Sequence, residues 1–244
     1  MEGYGPETYG DRIAEVYDEW YGGAGFLDTE ASLDVLAELA GEGPALELAI
    51  GTGRVALPLA ERGIEVHGVD ASERMVAKLR EKPGGDRIPV TMGDFADVSV
   101  DGEYSLVYLV FNTFFALPSQ DEQVRCFQNV AAHLAADGVF AMDAFVPDPA
   151  RFGGGRVSVS EIGDGLVRLD MIKLDPVTQI STSQHVVLTP EGARFYPVNI
   201  RWAYPPELDL MARLAGLRLH QRWGSWKREP FTADSTKHVS VYGR

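Results

Sequence analysis

The chain has 244 residues, 45% of them hydrophobic, enough to bury a core as one domain or as one domain with a smaller inserted layer. Residues 1–150 hold 9 Lys/Arg against 27 Asp/Glu, whereas residues 151–244 hold 13 against 9, within a net charge of -14. A net acidic surface repels polyphosphates, which disfavours a nucleic-acid partner and leaves a small anionic substrate near the second half open.

The sequence contains few features that indicate protein targeting, disulfide bonds or metal binding. No basic leader and no apolar run of about 20 residues is evident, so we expect a cytoplasmic protein with no membrane segment. Cys126 is the single cysteine, which leaves no intramolecular disulfide and no cysteine zinc site. No pair of histidines has metal-ligand spacing, so we expect no metal.

The first predicted elements are helices and then a parallel sheet. Apolar residues recur at helical spacing over residues 11–40, which predicts an N-terminal helical cap over residues 1–40. Apolar runs then alternate with amphipathic segments, the rhythm of a βαβ fold. Five parallel strands are predicted, at residues 45–50, 64–69, 88–92, 106–111 and 139–145.

A change of hydrophobic period marks the second half. Residues 166–174 alternate with a period of two, which predicts an antiparallel layer of about four strands inserted over residues 153–205. Pro205 and Pro206 then open a helix, and two last strands close the chain. The predicted fold class is α/β, a doubly wound Rossmann-like seven-stranded sheet over residues 41–152 and 206–244, with an inserted antiparallel β-layer.

The strongest motif lies where the first strand of the sheet ends. An apolar strand runs into the turn Gly51-Thr52-Gly53, which opens a helix where the backbone must approach a ligand closely. The same residues fit the G-x-G-x-x-A dinucleotide pattern, but alone this fit is weak, and a tight turn without a ligand is the structural alternative.

Carboxylates follow the next two strands. Asp70 ends the second strand, where it can accept hydrogen bonds from both hydroxyls of a ribose. Asp94 follows the third strand and can accept from an adenine amino group, while Phe95 supplies a backbone donor. Asp94 alone would more often be a helix cap. Their agreement with the glycine turn favours adenosine binding.

These ordered motifs, Glu-x-Ala-x-Gly-x-Gly, strand-Asp and Gly-Asp-Phe, resemble the class I S-adenosylmethionine-dependent methyltransferases over residues 40–145. The resemblance implies S-adenosylmethionine as cofactor, with Glu47 near its ammonium and Arg54 near its carboxylate. Many members carry a third glycine where Arg54 and Ala56 stand here. The implied cofactor contacts are Tyr9, Tyr17, Glu47, Ala49, Gly51, Gly53, Arg54, Asp70, Ala71, Asp94, Phe95, Val110 and Phe111.

The segment from Tyr9 to Tyr21 resembles the lead-in of small-molecule members, including the amino-sugar N,N-dimethyltransferases, in which this helix caps the pocket. Without that resemblance, Tyr17 and Trp20 are ordinary core residues of an amphipathic helix. The inserted layer is similar to one that shapes the substrate pocket and supports dimerisation in those enzymes. We therefore expect an N- or O-methyltransferase of secondary metabolism that takes a small-molecule acceptor and forms a homodimer.

Methyl transfer requires in-line alignment and exclusion of water, and an amine or hydroxyl acceptor also needs a proton acceptor nearby. The candidates are Tyr21, Asn112, Asp143 and His185. A C-methyltransferase, an NAD(P)-dependent oxidoreductase and a non-catalytic ligand-binding module remain as alternatives. Glu47 opposes the oxidoreductase, because a carboxylate before the glycines repels a diphosphate.

Overall fold

A computed structural model describes residues 3–22, 29–97, 99–148, 150 and 155–244. Three helices come first: α1 (Thr8–Ile13), α2 (Tyr17–Tyr21) and α3 (Thr29–Ala40). The boundary expected between sheet and insertion, at residues 152 and 153, lies outside the described residues. Over the described part of the chain, no helix is long and apolar enough to span a membrane.

The main sheet has seven strands in the order β3-β2-β1-β4-β5-β11-β10, with β11 antiparallel to both its neighbours and the other pairs parallel. Helices cover both faces of this sheet, as the doubly wound prediction requires. The strands are β1 (Ala45–Leu48), β2 (Val66–Asp70), β3 (Val90–Met92), β4 (Tyr104–Leu109), β5 (Leu134–Phe145), β10 (Arg218–Trp223) and β11 (Lys237–Gly243). The covering helices are α3, α4 (Ala56–Glu61), α5 (Glu73–Arg80), α6 (Gln120–His133) and α7 (Pro205–Leu214).

Strand β5 begins earlier than the predicted residue 139. Helix α6 ends at His133, and Leu134 is already extended. Gly138 lies inside the strand, where a Cβ would come within 2.6 Å of the Tyr104 carbonyl oxygen. Pairing with β4 passes from Leu134 to Val139, so residues 135–138 form a bulge in β5, and Gly138 lies within it.

The insertion is a separate antiparallel sheet, as predicted, in the order β6-β7-β8-β9. Its strands are β6 (Gly155–Gly163), β7 (Leu166–Asp175), β8 (Ile180–Thr189) and β9 (Gly192–Arg201). Its inner face meets the N-terminal helices, because Trp20 of α2 packs edge-on against His185 and Tyr196. The inserted layer thus packs against the cap helices at one end of the main sheet.

Candidate active site

The turn after β1 is held in a left-handed backbone conformation. Ala49, Gly51 and Gly53 all have positive φ angles, of 55°, 58° and 75°. A Cβ on Gly51 would meet no atom closer than 3.9 Å, so this position is open to a ligand. A Cβ on Gly53 would lie 2.3 Å from Leu79 Cδ1, so this glycine lets α5 pack behind the turn.

An open cleft of about 1150 Å³, including space exposed to solvent, lies above this turn at the carboxyl ends of the strands. Gly53 is not among its lining residues. The predicted cofactor contacts that line it are Tyr9, Tyr17, Glu47, Ala49, Gly51, Arg54, Asp70, Ala71, Asp94, Phe95, Val110 and Phe111. Sequence reasoning missed Tyr4, Ser72, Met75 and Leu117, which also line it. Proximity to Asp70 was a signal for Ser72 and Met75, whereas nothing local pointed to Tyr4 or Leu117.

Asp70 joins the two loops on one side of the cleft. Its carboxylate accepts hydrogen bonds from the backbone N–H groups of Gly51, at 2.7 Å, and Ser72, at 2.8 Å. Burial raises the pKa of Asp70, while those N–H donors lower it. The carboxylate is therefore fixed in direction by backbone groups, as recognition of a ribose demands.

Glu47 and Arg54 also line the cleft. Glu47 is buried and accepts a hydrogen bond from the Tyr108 hydroxyl at 3.0 Å. Burial raises the pKa of Glu47 to about 8, opposed by Tyr108 and Arg54. The Arg54 guanidinium lies 5.0 Å above the Phe111 ring, and its buried Nε has no hydrogen-bond partner among the described residues. A buried acid and a cation that keeps one unpaired donor, although it also hydrogen-bonds Tyr17, together fit a zwitterionic amino acid group.

Asp94 also lines the cleft and is half-buried. Its carboxylate accepts from the Ala96 backbone N–H at 2.9 Å, as a capping side chain does. Burial raises the pKa of Asp94. Phe95 is buried beside it, so a polar acceptor and an apolar surface adjoin, an arrangement suited to a purine.

Two of the four proton-acceptor candidates hold the turn after β4. Phe111 and Asn112 have φ angles of 66° and 61°, which non-glycine residues rarely adopt. Asp143 accepts from the Phe111 backbone N–H at 2.5 Å, and the Asn112 side-chain oxygen accepts from the Phe145 N–H at 2.6 Å. Neither side chain lines the cleft.

The other two candidates lie between the cap and the layer. The Tyr21 and Tyr9 hydroxyls are hydrogen-bonded to each other, and the Tyr21 ring packs 5.2 Å from that of Phe111. His185 Nδ1 lies 2.6 Å from Asp170 Oδ1 on the inner face of the layer. Tyr21 therefore touches cleft residues directly, whereas His185 approaches them through the cap.

Comparison with known proteins agrees with this geometry. A methyltransferase-domain family matches residues 45–138. The cypemycin N-terminal methyltransferase of a Streptomyces species is 30% identical over 203 residues, 82% of this chain and 82% of that protein. The dTDP-3-amino-3,6-dideoxy-alpha-D-glucopyranose N,N-dimethyltransferase of Streptomyces fradiae is 29% identical over 166 residues, 66% and 64% of the two chains.

The CcbJ methyltransferase from Streptomyces caelestis has a similar structure. Its TM-score is 0.91 at 42% sequence identity, over 98% of each chain. The match therefore includes the cap and the inserted layer as well as the main sheet. The chain belongs to the class I S-adenosylmethionine-dependent methyltransferases that act on small molecules, and S-adenosylmethionine is its cofactor.

Proposed function

We propose that this enzyme methylates an amine of a small-molecule acceptor in secondary metabolism. The observation that supports the methyl-transfer part of the proposal is the cleft itself, which Glu47, Arg54, Asp70 and Asp94 line. That charge pattern matches an amino acid joined to an adenosine. Two relatives whose names specify N-methylation, of a peptide terminus and of an amino sugar, support nitrogen as the acceptor atom.

We propose that Glu47 receives the ammonium of the cofactor, Arg54 its carboxylate, and Asp70 its ribose. Asp94 and Phe95 would hold the adenine. The bound cofactor supplies a methyl group already activated by its sulfonium, so the chain's own task is to align the acceptor and exclude water. Tyr9 and Tyr17, which line the cleft from the cap, serve that exclusion.

Proton removal is assigned to groups between cap and layer. Tyr21 is the proposed contact with the acceptor amine, because its ring packs against Phe111, a residue that lines the cleft. His185, oriented by Asp170, is the proposed final proton acceptor. Asn112 and Asp143 are proposed to act by fixing the turn that presents Phe111, not by taking the proton.

The three parts of the chain would have separate tasks. Residues 1–40 would cap the cleft, residues 41–152 with 206–244 would bind the cofactor, and residues 153–205 would shape the acceptor side. A cytoplasmic location is part of the same proposal and agrees with the buried free thiol of Cys126.

A homodimer is proposed through the outer face of the layer, which points away from Trp20. The strand register places large apolar side chains on this one face, each between 37% and 78% exposed. They are Val157, Val159, Ile162, Met171, Leu188 and Phe195. An apolar patch of this kind is typical of a protein interface, and two copies could bury it by twofold pairing.

The test of the function uses S-adenosylmethionine with a deuterated methyl group and pairs of acceptors that differ only in carrying an amine or a hydroxyl. Amino sugars and short peptides with free N-termini form the panel. We expect mass spectrometry to find the label on nitrogen. Label only on oxygen or carbon, or none on any acceptor although the cofactor binds, would contradict N-methylation.

A further inference from the structure

A cluster of three polar residues joins the cap to the cofactor turn, and one of them, Thr52, also lines the cleft. The Thr52 hydroxyl donates to Asp18 Oδ1 at 2.7 Å, and Lys82 Nζ donates to the Thr52 carbonyl oxygen at 2.8 Å. Lys82 Nζ also lies 2.6 Å from Asp18 Oδ2, which closes the cluster. We call Asp18, Thr52 and Lys82 the clasp.

Each member of the clasp comes from a different part of the site. Asp18 belongs to α2, the helix that also carries Tyr17 and Tyr21. Thr52 is the residue between Gly51 and Gly53 and is 1% exposed. Lys82 follows the end of α5. The clasp thus connects the cap, the turn that faces the cofactor and the helix packed behind that turn.

The turn requires such an anchor. Its glycines leave the backbone without side-chain packing on the cleft side, and the positive φ angle of Ala49, unlike those of Gly51 and Gly53, must be held by its surroundings. Hydrogen bonds in which one partner is charged are stronger than neutral ones. The clasp contains three such hydrogen bonds, one between each pair of Asp18, Thr52 and Lys82.

A second hydrogen bond joins the cap to the loop that follows Asp70. Asp11 of α1 accepts from the Ser72 hydroxyl at 2.6 Å, and the Ser72 N–H in turn donates to Asp70. Carboxylates of the cap therefore bind both loops that flank the cleft. Direct hydrogen bonds therefore connect the position of the cap to the conformation of these two loops.

We propose that Asp18, Thr52 and Lys82 are positioning residues that set the cap in register over the cofactor turn and slow cofactor release. The inference rests on the proposed placement of S-adenosylmethionine against Gly51. The clasp acts through the turn and through Tyr17, so its loss should raise the KM for S-adenosylmethionine more than it lowers kcat.

Glu15 provides a matched control. It is a third cap carboxylate and binds the same helix, with Lys78 Nζ at 3.1 Å and Arg74 at 3.4 Å, but neither partner touches the turn. Glu15→Gln removes a charge between cap and α5 without disturbing Thr52. Exposed pairs of this kind contribute little to stability.

The experiment compares Asp18→Asn, Lys82→Met and Thr52→Val with Glu15→Gln. Steady-state kinetics give KM and kcat, and chase of radiolabelled S-adenosylhomocysteine with excess unlabelled ligand gives its release rate. We expect the clasp variants to raise the KM about tenfold and to speed release similarly, because each loses a charge-assisted hydrogen bond. Thr52→Ser keeps the hydroxyl and should have the KM and release rate of the wild-type protein. Combining Asp18→Asn with Lys82→Met should raise the KM and the release rate little beyond the values of either single variant.

The proposed role of the clasp is overturned if the KM and the release rate of its variants lie within about twofold of those of Glu15→Gln. A twofold difference is the scatter expected of surface substitutions. Thermal unfolding of the ligand-free variants checks that they fold, and Thr52→Ser keeps the test decisive if another variant does not. A wild-type protein that binds no S-adenosylhomocysteine would overturn the proposed function and the clasp together. Wild-type binding with unaffected variants would overturn the clasp alone.

Discussion

The cofactor side and the acceptor side of the site are built differently. On the cofactor side, Glu47 lies in β1, Asp70 ends β2 and Asp94 follows β3, and backbone N–H groups of the adjoining loops orient Asp70 and Asp94. On the acceptor side, the contacts join distant segments, as Trp20 does with Tyr196 and His185 with Asp170. The comparison teaches that cofactor recognition resides in short motifs, whereas acceptor recognition depends on how the cap and the layer meet the sheet.

The largest expected effect is on the cofactor side. Asp70→Ala should weaken S-adenosylhomocysteine binding about 100-fold, because hydrogen bonds to a charged group are lost. The ligand-free protein should also unfold at a lower temperature, since the N–H groups of Gly51 and Ser72 lose their acceptor. Titration calorimetry measures the affinity. Asp97→Ala, at an exposed carboxylate paired with Arg125, is the control, and equal affinities of the two variants would refute the assignment.

On the acceptor side, His185→Asn should lower kcat about tenfold and leave the KM for S-adenosylmethionine unchanged, because proton removal and cofactor binding use separate groups. Tyr21→Phe should act in the same direction. His220→Asn, at an exposed histidine of β10, serves as the control. A rise in cofactor KM with unchanged kcat would show that the two sides are not separable in this way.

The sequence predicts the cofactor side well because its chemistry is local. A glycine turn after a strand, followed by acids at the next two strand ends, identifies both the fold and the residues that line the cleft. Asp143 shows where such reasoning stops. It also lies in a strand of the sheet, yet its side chain points beneath the β4 turn and accepts from Phe111, and only the packing of neighbouring strands decides that direction. Tyr4 reaches the cleft from a segment with no motif at all.

The outer face of the layer gives a third test, on assembly. Phe195→Asp should weaken the proposed dimer about tenfold or more, since it places a charge in an apolar interface. Val177→Asp is the matched control, because Val177 is 90% exposed at the turn between β7 and β8 and lies outside that face. Analytical ultracentrifugation over a range of concentrations distinguishes the outcomes. A wild-type monomer at every concentration would rule out the proposed dimer.

The last test concerns Glu47 and the pH dependence of stability. Because its pKa is raised to about 8 in the folded protein and is near 4.5 when unfolded, the folded state holds a proton that the unfolded state releases between those values. The unfolding free energy of the ligand-free protein should therefore fall as pH rises from about 4.5 to 8. Glu47→Gln should remove most of that decline, which is on the order of 5 kcal/mol for a shift of this size. Denaturant unfolding at several pH values measures it, and an unchanged slope would contradict the assignment.

The most direct test of the account is titration calorimetry of the wild-type protein with S-adenosylhomocysteine and, separately, with NADH. The account predicts micromolar binding of S-adenosylhomocysteine alone. It also predicts release of a proton near pH 7 as the ammonium meets Glu47, visible as a dependence of the heat on the buffer. Binding of NADH, or of neither ligand, would contradict a cleft built for an amino acid joined to an adenosine.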